Sequence, residues 1–391
     1  MKSYLSHLEC TWCGKNHSHT QAIRTCTDCG KVLFARYDLP SLKREVNREV
    51  FKGRRSDMWR FYEMMPVLEE GNVVSLGEGG TPLLHAKNLG RKLGLKNLYI
   101  KDEGLNPTGS FKARGLSAAV SKAKEVGQTR LTMPTAGNAG GALAAYAARG
   151  GLEAHVFMPK DAPEANKKEC QVLGSNLTLV DGLIGDAGRL SQEKAQKEGL
   201  FDISTLREPY RAEGKKTMAL ELAMDLGWRT PDAIIYPTGG GTGIVGMWKA
   251  FEELRELGWI DSPQPKFVSV QAEGCQPIVK AFHEGSNESE PWPNASTKAA
   301  GLRVPSVFAD YIILRVLRET GGTAIAVSDS DMVKAMSEMG AAEGVFACPE
   351  GAATLVGLKR LLDQSFFQGS ETIILMNTGS GLKYLDLLDT L

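Results

Sequence analysis

Four cysteines, one lysine and three glycine-rich turns have the residue types and spacing to do chemistry. Cys10-Thr11-Trp12-Cys13-Gly14 and Cys26-Thr27-Asp28-Cys29-Gly30 are two CxxCG knuckles separated by twelve residues. That spacing can set four thiolates tetrahedrally around one Zn²⁺, and the glycine after each pair lets backbone amides turn toward sulfur. Four thiolates close the coordination shell, so the metal is expected to be structural. His17 and His19 lie between the knuckles and are expected to be solvated. The lysine is Lys112, in Asn106-Pro107-Thr108-Gly109-Ser110-Phe111-Lys112-Ala113-Arg114-Gly115. A turn runs into a helix start there, with Ser110 in the N-cap position and Lys112 in the first turn. The positive end of a helix disfavours an ammonium, and a neutral amine can attack an aldehyde, so Lys112 is a Schiff-base candidate. The decapeptide alone is equally compatible with a surface lysine after a turn.

Thr238-Gly239-Gly240-Gly241-Thr242-Gly243 lies between an apolar strand-like run and a helical stretch. Consecutive glycines let backbone amides converge on an anion at a helix N-terminus, and a phosphate is the expected guest. Two other readings compete. The turn could be purely structural, or Gly241-x-Gly243-x-x-Gly246 could be a dinucleotide fingerprint with Glu273 as its ribose-binding acid. The second makes a nicotinamide-dependent oxidoreductase, but the fingerprint arrives past residue 230 and leaves the lysine loop without a role. Thr135-Ala136-Gly137-Asn138-Ala139-Gly140-Gly141 could offer amides to a carboxylate, or simply start a helix with Thr135 or Asn138 as cap. Asn377-Thr378-Gly379-Ser380 offers hydroxyls at a further strand end.

The elements that position these loops alternate strand and helix. Strands are expected at Leu98–Lys101, Leu131–Pro134, Ala154–Met158, Leu177–Val180, Ala233–Pro237, Phe267–Ala272, Thr323–Val327 and Thr372–Met376. Helices are expected over 164–173, 186–198, 213–226, 242–254 and 350–364, and another is expected to be capped near Ser328-Asp329. Such alternation indicates a parallel sheet with helices on its faces, and open α/β sheets bind ligands at the carboxyl ends of their strands. The 391 residues suffice for two domains and a small appendage. Apolar residues are 42% and charged ones 24%, with 46 basic and 46 acidic side chains. That balance gives no electrostatic reason to expect nucleic acid or an anionic membrane. The apolar runs are strand-sized, no N-terminal h-region is present, and a cytoplasmic location is the default expectation. Seven cysteines, four of them grouped, suit metal binding in a reducing compartment. Cys275 and Cys348 are expected to be buried, and His85 to be structural.

Taken together, these stretches resemble the threonine synthase family of fold-type II pyridoxal 5′-phosphate enzymes, in the form with an N-terminal zinc ribbon. Further motifs carrying the resemblance are Gly77 to Leu83, Lys101-Asp102-Glu103, Arg211 to Thr217, Val270 to Cys275 and Pro349 to Ala353. The resemblance implies an α/β, two-domain, tryptophan synthase β-like fold with parallel or mixed sheets plus the ribbon. The ribbon would be 1–38, the large cofactor-binding domain 39–114 and 206–391, and a small substrate-gating domain 115–205. Lys112 would bind the cofactor aldehyde, with Phe111 beside it. Gly239, Gly240, Gly241, Thr242 and Gly243 would hold the phosphate, Asn138 the phenolic oxygen and Thr378 the pyridine nitrogen. A neutral hydroxyl at that nitrogen makes a milder electron sink than a carboxylate would, suited to elimination and replacement. Lys101, Thr135, Ala136, Gly137, Asn138, Ala139 and Arg211 would contact substrate, the last as the planar fork on its phosphate. The family reaction is a lyase reaction of threonine biosynthesis: O-phospho-L-homoserine and water give L-threonine and phosphate. Relatives are homodimers acting on small molecules.

The chain departs from the family pattern in four places. Ala139 lacks a hydroxyl often found there, Gly239 replaces a common asparagine, Ala113 replaces an aspartate, and Glu208 stands three residues before Arg211. A serine/threonine dehydratase or a β-replacement enzyme is therefore the competing reading within the same cofactor class.

Overall fold

In the computed structural model, which describes residues 1–390, the expected alternation forms thirteen strands in three sheets. In chain order they are β1 (Leu5–Cys10), β2 (Asn16–His17), β3 (Leu33–Tyr37), β4 (Leu83–His85), β5 (Asn97–Asp102), β6 (Arg130–Pro134), β7 (Glu153–Pro159), β8 (Asn176–Val180), β9 (Phe201–Asp202), β10 (Ala233–Pro237), β11 (Lys266–Ala272), β12 (Thr323–Val327) and β13 (Thr372–Asn377). All eight expected strands are present, within two residues at either end. The chain divides into two units. The first holds Met1–Gly80, Lys112–Leu220 and Glu252–Trp259; the second holds Thr81–Phe111, Glu221–Phe251 and the chain from Ile260 onward.

The first unit carries two sheets. The small one, ordered β2-β1-β3, is antiparallel, with Leu8 opposite Ala35 and Cys10 opposite Leu33. The other, ordered β8-β7-β6-β9, is parallel throughout. Its core joins Leu131, Met133, Val156 and Met158 to Leu116 and Val120 of the helix Lys112–Glu125 and to Leu143 and Tyr146 of the helix Ala139–Gly150. That second helix stops where its glycines promise: Gly151 takes a left-handed φ of 71° and its N–H closes on Ala147 and Ala148.

The second unit is organised on the six-stranded sheet β12-β11-β10-β13-β5-β4, parallel except that β4 runs antiparallel to β5. Every residue of β10 is buried, as is all of β13 beyond Thr372. Strands covered on both faces read as unbroken apolar runs, which is why they were legible. Leu98, Ile235, Val268, Val270 and Leu375 pack with Leu355 and Leu358 of the helix Pro349–Asp363. The helix after β12 is capped by Ser328, whose hydroxyl accepts from the N–H of Asp331. The ribbon strands, β4, two-residue β9 and the helix Asp310–Glu319 were not legible. Short strands lack enough residues to show a period.

Candidate functional site

The second unit holds the Thr238 and Asn377 loops and the lysine loop as far as Phe111, at the carboxyl ends of β10, β13 and β5, while Lys112 opens a stretch of the first unit. Glu103, fully buried after β5, accepts from Thr81 Oγ1 at 2.6 Å and from Asn106 Nδ2 at 2.8 Å. It thereby braces the start of the lysine loop. Thr108 and Gly109 both take φ of 62°, a bend that glycine tolerates and threonine enters at a cost. Residues 109–111 then run against 378–380: the N–H of Phe111 donates to Thr378 O at 3.0 Å, and that of Ser380 to Gly109 O at 2.9 Å. Ser110 is fully buried with its hydroxyl unpartnered, so it is not the helix cap expected of it. The helix begins one residue past Phe111, at Lys112 itself, which is half-buried.

The Thr238–Gly243 loop is fastened to its neighbour strand. Thr238 N–H donates to Val270 O at 2.8 Å, and buried Gln271 donates to Thr238 O at 3.1 Å. A Cβ at Gly239 would overlap the carbonyl oxygen of Gly301, one at Gly241 would overlap Ile313, and one at Gly243 would overlap the Tyr236 hydroxyl. Packing alone thus requires glycine at all three. The phosphate reading rests instead on the helix Thr242–Glu256, whose first amides have no intrahelical acceptor and sit at its positive end. Phe111 meets Tyr236 edge-on with ring centroids 6.1 Å apart, so the lysine loop and the glycine loop share a neighbour. Thr378 is buried, with Oγ1 3.8 Å from Cys348 Sγ. Cys275 and Cys348 are both buried, as expected, and burial pushes the Cys275 thiol up to about 11.

The first unit holds the rest. The Thr135–Gly141 loop leaves the end of β6, and Thr135 Oγ1 accepts from Gly137 N–H at 3.1 Å in a local turn. Asn138 occupies the N-cap position without a capping bond, and its Oδ1 is buried with no partner. Arg211 is 1% exposed; Nη1 donates to Ile203 O at 3.0 Å and lies 3.2 Å from Met133 Sδ on β6, while Nε is buried and unpartnered. Its helix starts at Tyr210, earlier than expected, because Glu208 accepts the N–H groups of Tyr210 and Arg211, both at 2.8 Å. Burial pushes the Glu208 carboxyl up to about 7. Lys101 belongs to the second unit and needs correcting. It is fully buried, donates to Thr81 O at 2.6 Å and pairs with Glu221 at 2.9 Å. Its ammonium is engaged inside the sheet, so no contact with substrate is proposed for it.

Sequence reasoning passed over Glu350 and Glu78. Glu350 Oε1 accepts from Gly301 N–H and the Tyr384 hydroxyl, both at 2.7 Å, supporting the segment that abuts Gly239, while Oε2 is buried without a partner. Its sequence signals, a place in the Pro349 to Ala353 motif and a Pro-Glu-Gly helix opening, assign it no partner. Glu78 is fully buried and accepts from Trp59 Nε1 at 2.9 Å and the Tyr146 hydroxyl at 2.7 Å.

The four knuckle sulfurs all lie within 4.8 Å of one another, with Cys10 to Cys29 at 3.4 Å and Cys13 to Cys26 at 3.7 Å. Tetrahedral thiolates at ordinary Zn–S distances stand about 3.8 Å apart, so the set fits such an ion. The N–H groups of Trp12 and Cys13 point at Cys10 Sγ, both at 3.5 Å, and Gly14 and Gly30 take φ of 73° and 69°. His17 corrects its expectation: paired opposite Leu8 in the sheet, it is buried rather than solvated. His19 is partly buried, with Nδ1 unpartnered. His85 is structural, stacked on Tyr99.

The family model "Pyridoxal-phosphate dependent enzyme" matches residues 74–379, so the chain is a pyridoxal-phosphate dependent enzyme. A curated threonine synthase of Methanocaldococcus jannaschii is 36% identical over 375 residues, covering 96% of this chain and 92% of that one. One from Mycobacterium tuberculosis is 33% identical over 324 residues, covering 83% and 87%. Within its class the chain belongs to the threonine synthase family. Among solved structures it is similar to maize serine racemase (TM-score 0.68, 23% identity, covering 79% of this chain and 91% of that one), and this likeness shows the fold. The residues present fit the cofactor. In the second unit a glycine loop faces its helix start, the Thr378 hydroxyl follows the end of the adjacent strand β13, and Ser110 leaves a buried hydroxyl unpartnered. Among the described residues no helix is long and apolar enough to cross a membrane.

Proposed function

We propose that this chain converts O-phospho-L-homoserine and water to L-threonine and phosphate. The observation carrying the reading is Arg211, a buried guanidinium with Nε unpartnered, in a chain similar to threonine synthases over nearly its whole length. Pyridoxal 5′-phosphate, when bound, supplies the electron sink for charge developing beside the substrate's amino carbon. Lys112 would hold the cofactor's aldehyde carbon until the substrate's amino group takes its place there, and the freed amine would then move protons at the substrate's Cα and Cβ. Phe111 packs beside it, while Gly239, Gly240, Gly241, Thr242 and Gly243 hold the phosphate by backbone amides. Asn138 meets the phenolic oxygen and Thr378 the pyridine nitrogen. Backbone groups of Thr135, Ala136, Gly137 and Ala139 orient the substrate carboxylate. Arg211 grips the substrate's own phosphate, orienting it as leaving group.

The same reading places structural Zn²⁺ on Cys10, Cys13, Cys26 and Cys29, supported by the sulfur geometry. It takes 115–205 as the substrate-gating part, supported by that stretch carrying the four-stranded sheet. It also carries a homodimer working in the cytoplasm. Sedimentation and metal analysis of the purified protein check the dimer and the zinc. The reaction is tested by incubating the holoenzyme with O-phosphohomoserine and measuring threonine and phosphate. Release of a 2-oxo acid from serine or threonine, with no threonine formed from the phosphorylated substrate, would replace this reading with the dehydratase.

A further inference from the structure

Arg24 lies in the ribbon, between the two cysteine knuckles, and its guanidinium meets a residue 178 positions further along the chain. Its Nη1 stands 3.2 Å from Asp202 Oδ2, at the end of β9, a carboxylate only 4% exposed. The other oxygen of Asp202 accepts from the N–H of Ser204 at 2.9 Å and from the Ser204 hydroxyl. The next residue, Ile203, is the one whose carbonyl holds Arg211 Nη1 at 3.0 Å, and its own N–H is tied to Thr132 O at 3.0 Å. One peptide bond therefore separates the residue that Arg24 grips from the residue that grips Arg211.

The charges point the same way. Two carboxylates, Glu208 and Asp202, act on the Arg211 guanidinium, and each of them weakens its attraction for an anion. Burial raises the Glu208 carboxyl to about 7, with Asp202 adding to that effect, so near neutral pH it carries only part of its charge. Arg24 is the cation paired with the other carboxylate, Asp202. Without Arg24 a nearly buried carboxylate would lose its counter-charge beside the anion site, a costly arrangement that the local backbone would relieve by shifting.

We infer that Arg24 is a positioning residue for binding the substrate's phosphate monoester dianion, acting through Asp202 and Ile203 on Arg211. The metal ribbon thus contributes to substrate affinity as well as to folding. This inference rests on the reading of Arg211 given above.

The test compares Arg24→Gln, Arg24→Lys and Arg211→Gln in the zinc-loaded holoenzyme. Arg24→Gln is expected to raise KM for O-phosphohomoserine, and the inhibition constant of inorganic phosphate, by roughly threefold to tenfold. The guanidinium is half exposed, so a larger effect is not expected. kcat and zinc content stay at wild-type values, the melting temperature falls by a few degrees for the carboxylate left without its partner, Arg24→Lys recovers most of both losses, and the difference from wild type narrows in high salt. Unchanged KM and unchanged phosphate inhibition in Arg24→Gln, while Arg211→Gln raises both, would overturn the coupling and leave Arg211 in its role. If Arg211→Gln also leaves both unchanged, the Arg211 reading fails and takes this inference with it. A rise in KM accompanied by zinc loss would assign the effect to ribbon folding and overturn the positioning role.

Discussion

The four sulfurs of the ribbon come from residues 10 to 29, whereas the residues assigned to the cofactor are drawn from Phe111 to Thr378. The ribbon site is made by two hairpin-like knuckles, each closing on itself: Gly14 N–H returns to Cys10 O at 3.1 Å and Gly30 N–H to Cys26 O at 2.9 Å. The loops after β5, β10 and β13 that are proposed for the cofactor are neighbours because those strands lie side by side in one sheet. A site of the first kind stands or falls with its ion. One of the second kind is positioned by the apolar core that packs its sheet against the flanking helices.

Four experiments would break or sharpen that contrast. Lys112→Ala should have the largest effect, lowering turnover by at least about a thousandfold in a protein that remains folded by circular dichroism. The variant should lack the absorbance band near the visible edge that borohydride abolishes in the wild type; retained turnover would remove Lys112 from its role. Lys101→Met separates sheet structure from substrate binding. It removes the buried ammonium that Glu221 and Asp225 face and should lower stability in denaturant unfolding by about 1–3 kcal/mol, with KM unmoved in the folded fraction. A changed KM at full stability would return Lys101 to the substrate.

Glu208 tests the buried surroundings of Arg211 through pH. Its carboxyl is raised from 4.5 to about 7 in the native state, so the folded protein keeps a proton that the unfolded chain has lost between those values. The resulting stability is fully present below pH 4.5 and is lost as pH rises through 7, an effect of about 3 kcal/mol. Glu208→Gln lacks this slope, so its stability relative to wild type should climb by about that amount between pH 4.5 and 8. Parallel unfolding curves at the two pH values would contradict the assignment. Cys10→Ser should affect turnover least. The ribbon should melt at a lower temperature with loss of bound zinc, while kcat stays within about twofold and KM moves no further than in Arg24→Gln. Loss of kcat with unchanged melting would make the metal part of the chemistry.

Legibility followed the same contrast. The cysteine cluster, the helix start at Lys112 and the glycine turn after β10 could be read because each is a short run whose geometry depends on neighbours in sequence. The eight long strands could be read because burial on both faces writes continuous apolar stretches. Thr378 and Asn138, as single polar residues after strands, took their roles from family resemblance. Lys101 was misplaced because nothing in Lys-Asp-Glu distinguishes an ammonium facing a ligand from one facing Glu221, 120 positions along the chain.

By itself the sequence determined the alternation of strand and helix, the grouping of the four knuckle cysteines, and the turns at the lysine and glycine loops, all of which follow from propensity, period and local turn chemistry. Only the tertiary structure decided which carboxylates are buried and what each one faces: Glu103 under the lysine loop, Glu208 at the start of the Arg211 helix, Asp202 against Arg24. The physical reason is that the energy of a buried charge depends on burial and on partners brought near by the sheet, and neither quantity is carried by the residues on either side of it.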